Sequence, residues 1–395
     1  MVNTSLDATP YEDCSYKQGD ISDANVLYDA FLRAKQGSDW KGQVQKYEMN
    51  LLFELSRTQK QLRDGTFRYS PATKFKINER GKERIIHGEQ IQDRVVKHAL
   101  CDEVLNPCIT PYLTYDNGAS LKGKGITFTR KRLETHLHKF YSKYGNDGYI
   151  LIIDFSKYYD NMLHDKLKEV VRRYVSDEMA LWLFDMSLEK SRVDVSYMSD
   201  EEYENCLDEL FNSIDYEQID HSLLTGTKYM DKHLRVGDQV AQTSGIAYPT
   251  PYDNYIKIVR GEKFYGRYMD DSYIIHHSRE HLLGLLDDLI EVAKDGGITI
   301  NRKKTRIIKL SDYWRFLQIQ YSLTDTGRII KKINPKQLTR MRRRMKKLIY
   351  QLSPTEYDNW FKAWFDNYKG LMSRKQIANM LQLFKELKEV QKCLQ

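Results

Sequence analysis

Residues 264–276 read FYGRYMDDSYIIH, with two adjacent aspartates, Asp270 and Asp271, between two runs of strand-forming side chains. Tyr268 and Met269 lead into the pair; Ser272, Tyr273, Ile274 and Ile275 lead away from it. The pattern predicts a hairpin with both carboxylates at its tip. Two carboxylates this close repel, and each raises the other's pKa unless a positive charge neutralises them. A divalent cation does so most simply, and Mg²⁺ favours one or two carboxylates combined with substrate phosphates. Aspartate pairs are also frequent in ordinary solvated turns. Aromatic and β-branched flanks are unusual there, so the stretch reads as a hairpin that holds cations.

A second stretch fits the first. Residues 149–160, YILIIDFSKYYD, place four apolar residues, Ile150 to Ile153, directly before Asp154. Such a run predicts a buried strand that delivers a third carboxylate at its end. Tyr268-Met269-Asp270-Asp271 resembles the palm-domain metal motif of reverse transcriptases. The resemblance implies an α+β right-hand polymerase, with fingers, a palm of antiparallel sheet plus helices, and a small helical thumb. It implies RNA-directed DNA synthesis, with Asp154, Asp270, Asp271 and the Phe155 carbonyl holding two Mg²⁺ ions, for which Mn²⁺ could substitute. Tyr159, five residues beyond Asp154, matches the steric gate that excludes a ribose 2′-hydroxyl. Read alone, it would be a core tyrosine.

The remaining motifs follow in the family's order. Residues 73–86, TKFKINERGKERII, alternate as a hairpin with a turn at Glu79-Arg80-Gly81. The end from Lys82 to Ile86 resembles the fingers motif that grips the incoming triphosphate. That makes Arg84 the bidentate phosphate contact, with Lys74 and Lys76 as further candidates. A helix over 87–100 follows, with Ile91, Val95 and Leu100 facing inward and Arg94 beside the template or structural carboxylates. Residues 116–132 combine three glycines with five basic residues. Lys122 and Lys124 sit in its KGKG segment, where backbone can approach a template phosphate closely. Val236-Gly237-x-x-x-Ala241-Gln242 resembles the signature of diversity-generating retroelement reverse transcriptases, with Ala241 where that branch usually has Ser. The resemblance assigns Gln242 to the nascent base pair or template strand. In residues 297–310, GITINRKKTRIIKL, either Lys303 or Lys304 matches the lysine that acts as general acid beside the leaving pyrophosphate. Residues 314–321, WRFLQIQY, resemble the primer grip and assign Phe316 and Leu317 to the primer end.

Charge is segregated along the chain. The net charge is +7, yet residues 328–347 hold ten Lys or Arg and no acid, whereas residues 201–220 hold eight Asp or Glu and no base. A polyanion-binding face and a face turned away from it are expected. A helix over 337–352 would put Leu338, Met341, Met345 and Leu348 on one side. Arg340, Arg343, Arg344 and Lys347 would then lie on the other, suited to tracking duplex phosphates.

The 395 residues suffice for two or three domains. Expected are a helical lead-in over 1–72, with helices at 24–35 and 46–64, then fingers over 73–148. A palm over 149–327 follows, helical across 163–234 with an acidic insertion at about 193–230, and a basic thumb over 328–395. No run approaches a membrane span, the start MVNTSLDATPYEDCSY lacks a signal-peptide layout, and five scattered cysteines read as reduced thiols. The expected location is therefore the cytoplasm, and the resemblance implies a bacterial host cell. Expected partners are an RNA template (a dedicated noncoding RNA), a DNA or RNA primer, dNTPs, and an accessory protein or homo-oligomer, with no membrane. The length leaves no room expected for an RNase H, integrase or endonuclease domain. Three other readings compete: a polymerase of another template class, a defence-associated relative making protein-primed, repetitive or untemplated DNA, and an RNA-binding module with an idle site. Tyr159 and the Tyr268-Met269-Asp270-Asp271 motif lean against the first, and the full set of three aspartates argues against the last.

Overall fold

Asp23 starts the first helix, α1 (Ala24–Ala34), by accepting hydrogen bonds from the Asn25 and Val26 amides, and Leu27, Ala30, Phe31 and Ala34 form its buried face. The computed structural model describes residues 19–79, 82–208, 219–235 and 237–393. The single helix expected over 46–64 is in fact two, α2 (Gly42–Met49) and α3 (Leu51–Arg63), broken at Asn50 with φ −112° and ψ 26°. The break leaves Leu52 83% and Phe53 67% exposed, while Leu55 and Leu62 stay buried. Strands β1 (Thr73–Glu79) and β2 (Lys82–Gly88) pair antiparallel from Thr73↔Gly88 to Glu79↔Lys82. His87 and Gly88 therefore close this ribbon instead of opening the next helix. That helix, α4 (Ile91–Leu100), starts at Ile91 and buries Ile91, Val95 and Leu100 as expected.

Next come α5 (Asn106–Ile109), α6 (Ile126–Tyr144) and β3 (Tyr149–Asp154), whose Ile150, Leu151 and Ile153 are fully buried. The region expected to be helical throughout holds α7 (His164–Arg172), α8 (Glu178–Ser191) and α9 (Asp200–Asp208), but also two short strands. These are β4 (Val193–Asp194) and β5 (Tyr229–Met230), paired Val193↔Met230 and Asp194↔Tyr229. The excursion between them has a small core of its own, built on Val193, Val195, Met198 and Met230. Then follow α10 (Gln239–Ala247) and α11 (Thr250–Asn254), separated at Pro249 because proline cannot continue a helix. Strands β6 (Tyr265–Tyr268) and β7 (Asp271–His276) form the expected hairpin around Met269 and Asp270. The chain continues with α12 (Arg279–Asp295), β8 (Arg306–Lys309), β9 (Trp314–Phe316), β10 (Ile319–Leu323) and β11 (Ile329–Ile333). It ends in α13 (Pro335–Leu348), α14 (Pro354–Tyr368) and α15 (Arg374–Cys393).

Contacts divide the chain into two units: Met1–Thr129, Ile153–Ser272 and Gly284–Thr305 form one, and Arg130–Ile152, Tyr273–Leu283 and Arg306–Gln395 the other. A four-stranded sheet has the order β6-β7-β3-β8, with β3 and β8 antiparallel from Tyr149↔Lys309 to Ile152↔Arg306. The division falls within β3 and β7. The Asp154 end of β3 and the Asp271 end of β7 belong to the first unit. In the second, β9, β10 and β11 make an antiparallel sheet, and α13 to α15 pack around Met341, Met345, Phe361 and Met380.

Candidate active site

The three aspartates arrive from two directions. Asp154 ends β3, Asp270 lies in the turn of the β6–β7 hairpin, and Asp271 opens β7. Backbone hydrogen bonds hold these ends: Phe155 N–H donates to the Asp270 carbonyl (3.3 Å), and Asn301 N–H to the Asp154 carbonyl (2.8 Å). The Phe155 ring is buried against Tyr158 and Tyr252, with centroids at 5.5 and 5.4 Å, which fixes the chain just past Asp154.

Closeness puts the carboxylates under electrostatic pressure. Burial first, then Asp270 and Asp154, push the Asp271 carboxyl up to about 7, and Lys304 opposes the shift. The Lys304 ammonium reaches both Asp154 oxygens, at 3.2 and 3.0 Å. A cation thus already stands at one carboxylate. Among the described residues, no group of three or more His, Cys, Asp or Glu could hold a metal ion by itself. A partly buried, all-oxygen set whose members repel one another nevertheless fits a hard divalent cation completed by substrate phosphates. Asp154, Asp270, Asp271 and the Phe155 carbonyl are the donors it would use.

Tyr159 stands beside this set. Its hydroxyl lies 3.8 Å from the Met269 sulfur, and burial first, then Asp270, push the phenol up to about 12. Behind the ring is Gly245 of α10, where a Cβ would meet the Tyr159 Oη at 2.4 Å. Glycine is what gives the ring its place. Helix α10 is started by Asp238, whose carboxylate accepts from the Val240 N–H at 2.8 Å, and Gln242 is exposed on the same helix. Gly237, with φ +107°, makes the approach to it in a conformation that side chains rarely adopt.

Other expected contacts fare unevenly. Lys76 and Lys122 are exposed; the Arg84 side chain, Val236 and the turn at Arg80-Gly81 lie outside the described residues. The Lys124 ammonium is tied to the Tyr115 and Asn117 carbonyls, at 2.8 and 3.2 Å. The half-buried Arg94 guanidinium bonds the Ala34 carbonyl and the Ser38 hydroxyl, bracing α4 against the end of α1, and it also feels the Glu89 carboxylate. Of the two candidate lysines, Lys304 contacts Asp154, while the Lys303 backbone N–H bonds the Asn301 side chain at 3.2 Å. In the second unit the Phe316 ring is buried edge-on against Tyr273 at 5.1 Å. Leu317 and Gln318 form the β9–β10 turn with φ 44° and 71°, and the Leu317 carbonyl accepts from Arg130 at 2.7 Å. Arg340, Arg343, Arg344 and Lys347 are exposed on α13, opposite buried Leu338, Met341 and Met345.

Sequence reasoning missed two buried charge clusters. Lys97 bridges Glu89 and Asp238, joining α4 to the end of β2 and the start of α10. Arg267 pairs with Asp253 beneath the Met269-Asp270 turn. Only an acidic partner far along the chain justifies either burial, and local pattern does not show one.

A mixed helix-and-sheet chain whose antiparallel sheet carries carboxylates at its strand ends, with a tyrosine ring beside them, fits the palm of a polymerase. A sequence model of the reverse transcriptase (RNA-dependent DNA polymerase) family matches residues 74–321, and the chain belongs to that family. No curated protein matches it. The chain is thus a nucleotidyltransferase of the RNA-directed DNA polymerase type, acting on an RNA template, a primer and dNTPs, and such enzymes generally use divalent metal ions. No helix among the described residues is long and apolar enough to cross a membrane.

Proposed function

We propose that this chain copies a dedicated noncoding RNA into DNA, within a bacterial or phage retroelement, by two-metal nucleotidyl transfer. The observation that carries the chemistry is the Asp271 carboxyl, pushed up by burial and by Asp270 and Asp154, with the Lys304 ammonium on Asp154. The primer 3′-hydroxyl attacks the α-phosphorus in line, a new ester bond forms, and the bond to pyrophosphate breaks. Bound Mg²⁺ would lower the pKa of that hydroxyl and balance charge on the departing pyrophosphate.

The chain's own residues do the rest. Arg84 and Lys76 grip the triphosphate, Tyr159 excludes a 2′-hydroxyl, and Gln242 lies against the nascent pair. Lys304 delivers the proton to pyrophosphate, leaving Asp154 when a cation takes its place; Lys303 is the alternative donor. Lys122, Lys124 and the α13 residues Arg340, Arg343, Arg344 and Lys347 hold template and duplex phosphates. The Gly237 to Gln242 resemblance supports the retroelement assignment.

Sequencing the nucleic acid that copurifies from the native host, after RNase or DNase treatment, tests the template. One structured RNA with complementary DNA carrying errors at adenines is expected. Repetitive DNA with no matching RNA would instead favour the defence reading, and no DNA under any condition would remove the polymerase reading.

A further inference from the structure

Arg267 on β6 is fully buried, and so is Asp253 on α11. The Arg267 Nε donates to both Asp253 oxygens, at 2.9 and 3.0 Å, and one terminal nitrogen adds a third bond at 2.7 Å. That nitrogen also donates to the Ile246 carbonyl at 2.9 Å, in the last turn of α10. The other terminal nitrogen donates to the Met269 carbonyl at 3.1 Å. The Arg267 backbone joins a fourth segment: its N–H donates to the Asp116 carbonyl (3.1 Å), and its carbonyl accepts from the Gly118 N–H (3.0 Å). Burial by itself would push the guanidinium down; Asp253 more than reverses this, so the group stays charged.

The two carbonyls matter more than the ion pair. Met269 has φ 54°, a left-handed conformation that a long side chain rarely adopts, and it directly precedes Asp270. Ile246 directly follows Gly245, the residue that makes room for the Tyr159 ring. One planar fork therefore grips the turn carrying Asp270 and the helix backing the gate. We propose that Arg267 is a positioning residue that holds the carboxylate turn and the sugar-gate helix in a single register, so that neither can shift without the other. This rests on the polymerase reading above. A purely structural ion pair would need only the bonds to Asp253, which an ammonium can also make. Reaching Ile246 and Met269 as well requires the rigid guanidinium fork.

Arg267→Lys separates the two roles because it keeps the charge beside Asp253. Three quantities are read against wild type: melting temperature, Mn²⁺ affinity by electron paramagnetic resonance with the metal alone, and kinetics on a poly(rA)/oligo(dT) substrate with dTTP or UTP. The variant is expected to fold, to bind Mn²⁺ more weakly, to lose about tenfold or more in kcat, and to change its dTTP-to-UTP preference about fivefold. Wild-type Mn²⁺ affinity, kcat and sugar preference in folded Arg267→Lys would overturn the proposal, whatever the melting temperature. Should that variant not fold, Asp253→Asn, which keeps the shape and frees the fork, is read on the same scales with the same two outcomes. Wild-type protein that makes no DNA would sink the polymerase reading instead, and the substrate-free Mn²⁺ comparison keeps the two failures apart.

Discussion

Tyr159 shows how one side chain depends on the one behind it. Its ring fits because residue 245 has no side chain, and an added Cβ would lie 2.4 Å from its hydroxyl oxygen. Gly245→Ala is therefore expected to push the ring from its place and loosen or tighten sugar selection several-fold, measured as the ratio of kcat/KM for dNTP and rNTP. Tyr159→Ala is expected to admit ribonucleotides, lowering that ratio by about 100-fold; an unchanged ratio would rule out the gate. Spacing from Asp154 singled out Tyr159 in the sequence, whereas nothing singled out Gly245, since the need for a glycine appears only when the two segments meet. Arg267 was illegible for the same reason. In an alternating strand it reads as a solvent-facing residue, and Asp253 lies fourteen positions earlier on a helix that no local pattern ties to it.

Helix α4 illustrates the element scale. Its Lys97 is 3% exposed and is shared between Glu89, just past β2, and Asp238, the cap of α10. The buried Asp238 and the half-buried Glu89 share one ammonium, and the result falls on Glu89. Burial first, then Asp238, push its carboxyl up from 4.5 to about 7, with Lys97 opposing. Between those values the folded protein keeps a proton that the unfolded chain has released. The stability this contributes is present below pH 4.5 and is lost as pH rises through about 7. Glu89→Gln removes the loss, so its melting temperature should gain on wild type between about pH 5 and pH 8. Parallel pH profiles would contradict the assignment. Apolar spacing placed the inward face of α4 correctly but extended the helix back to His87, because a buried apolar face says nothing of where a preceding strand ends. The break at Asn50 was missed likewise: Leu51 and Leu52 continue the apolar run in sequence, yet Leu52 faces solvent.

For the whole molecule, the family was readable from short stretches of sequence, and the family match covers residues 74–321. The two units were not readable, because the second gathers residues 130–152, 273–283 and 306–395 from three separate stretches. Charge segregation was readable, and on α13 it lies opposite the buried methionines. Replacing Arg343 and Lys347 by Gln should weaken binding to all sequences alike. The slope of log affinity against log salt should fall by about 2, measured by fluorescence anisotropy on an RNA–DNA duplex. An unchanged slope would remove α13 from the phosphate contacts. Primer extension on an RNA template with dNTPs and Mg²⁺, comparing wild type with an Asp270→Ala, Asp271→Ala double variant of equal melting temperature, tests whether Asp154, Asp270 and Asp271 form a metal-dependent DNA-synthesising centre. Template-complementary DNA from wild type, lost with EDTA and reduced about 1,000-fold or more in the variant, is the expected result. Full DNA synthesis by the double variant would contradict it.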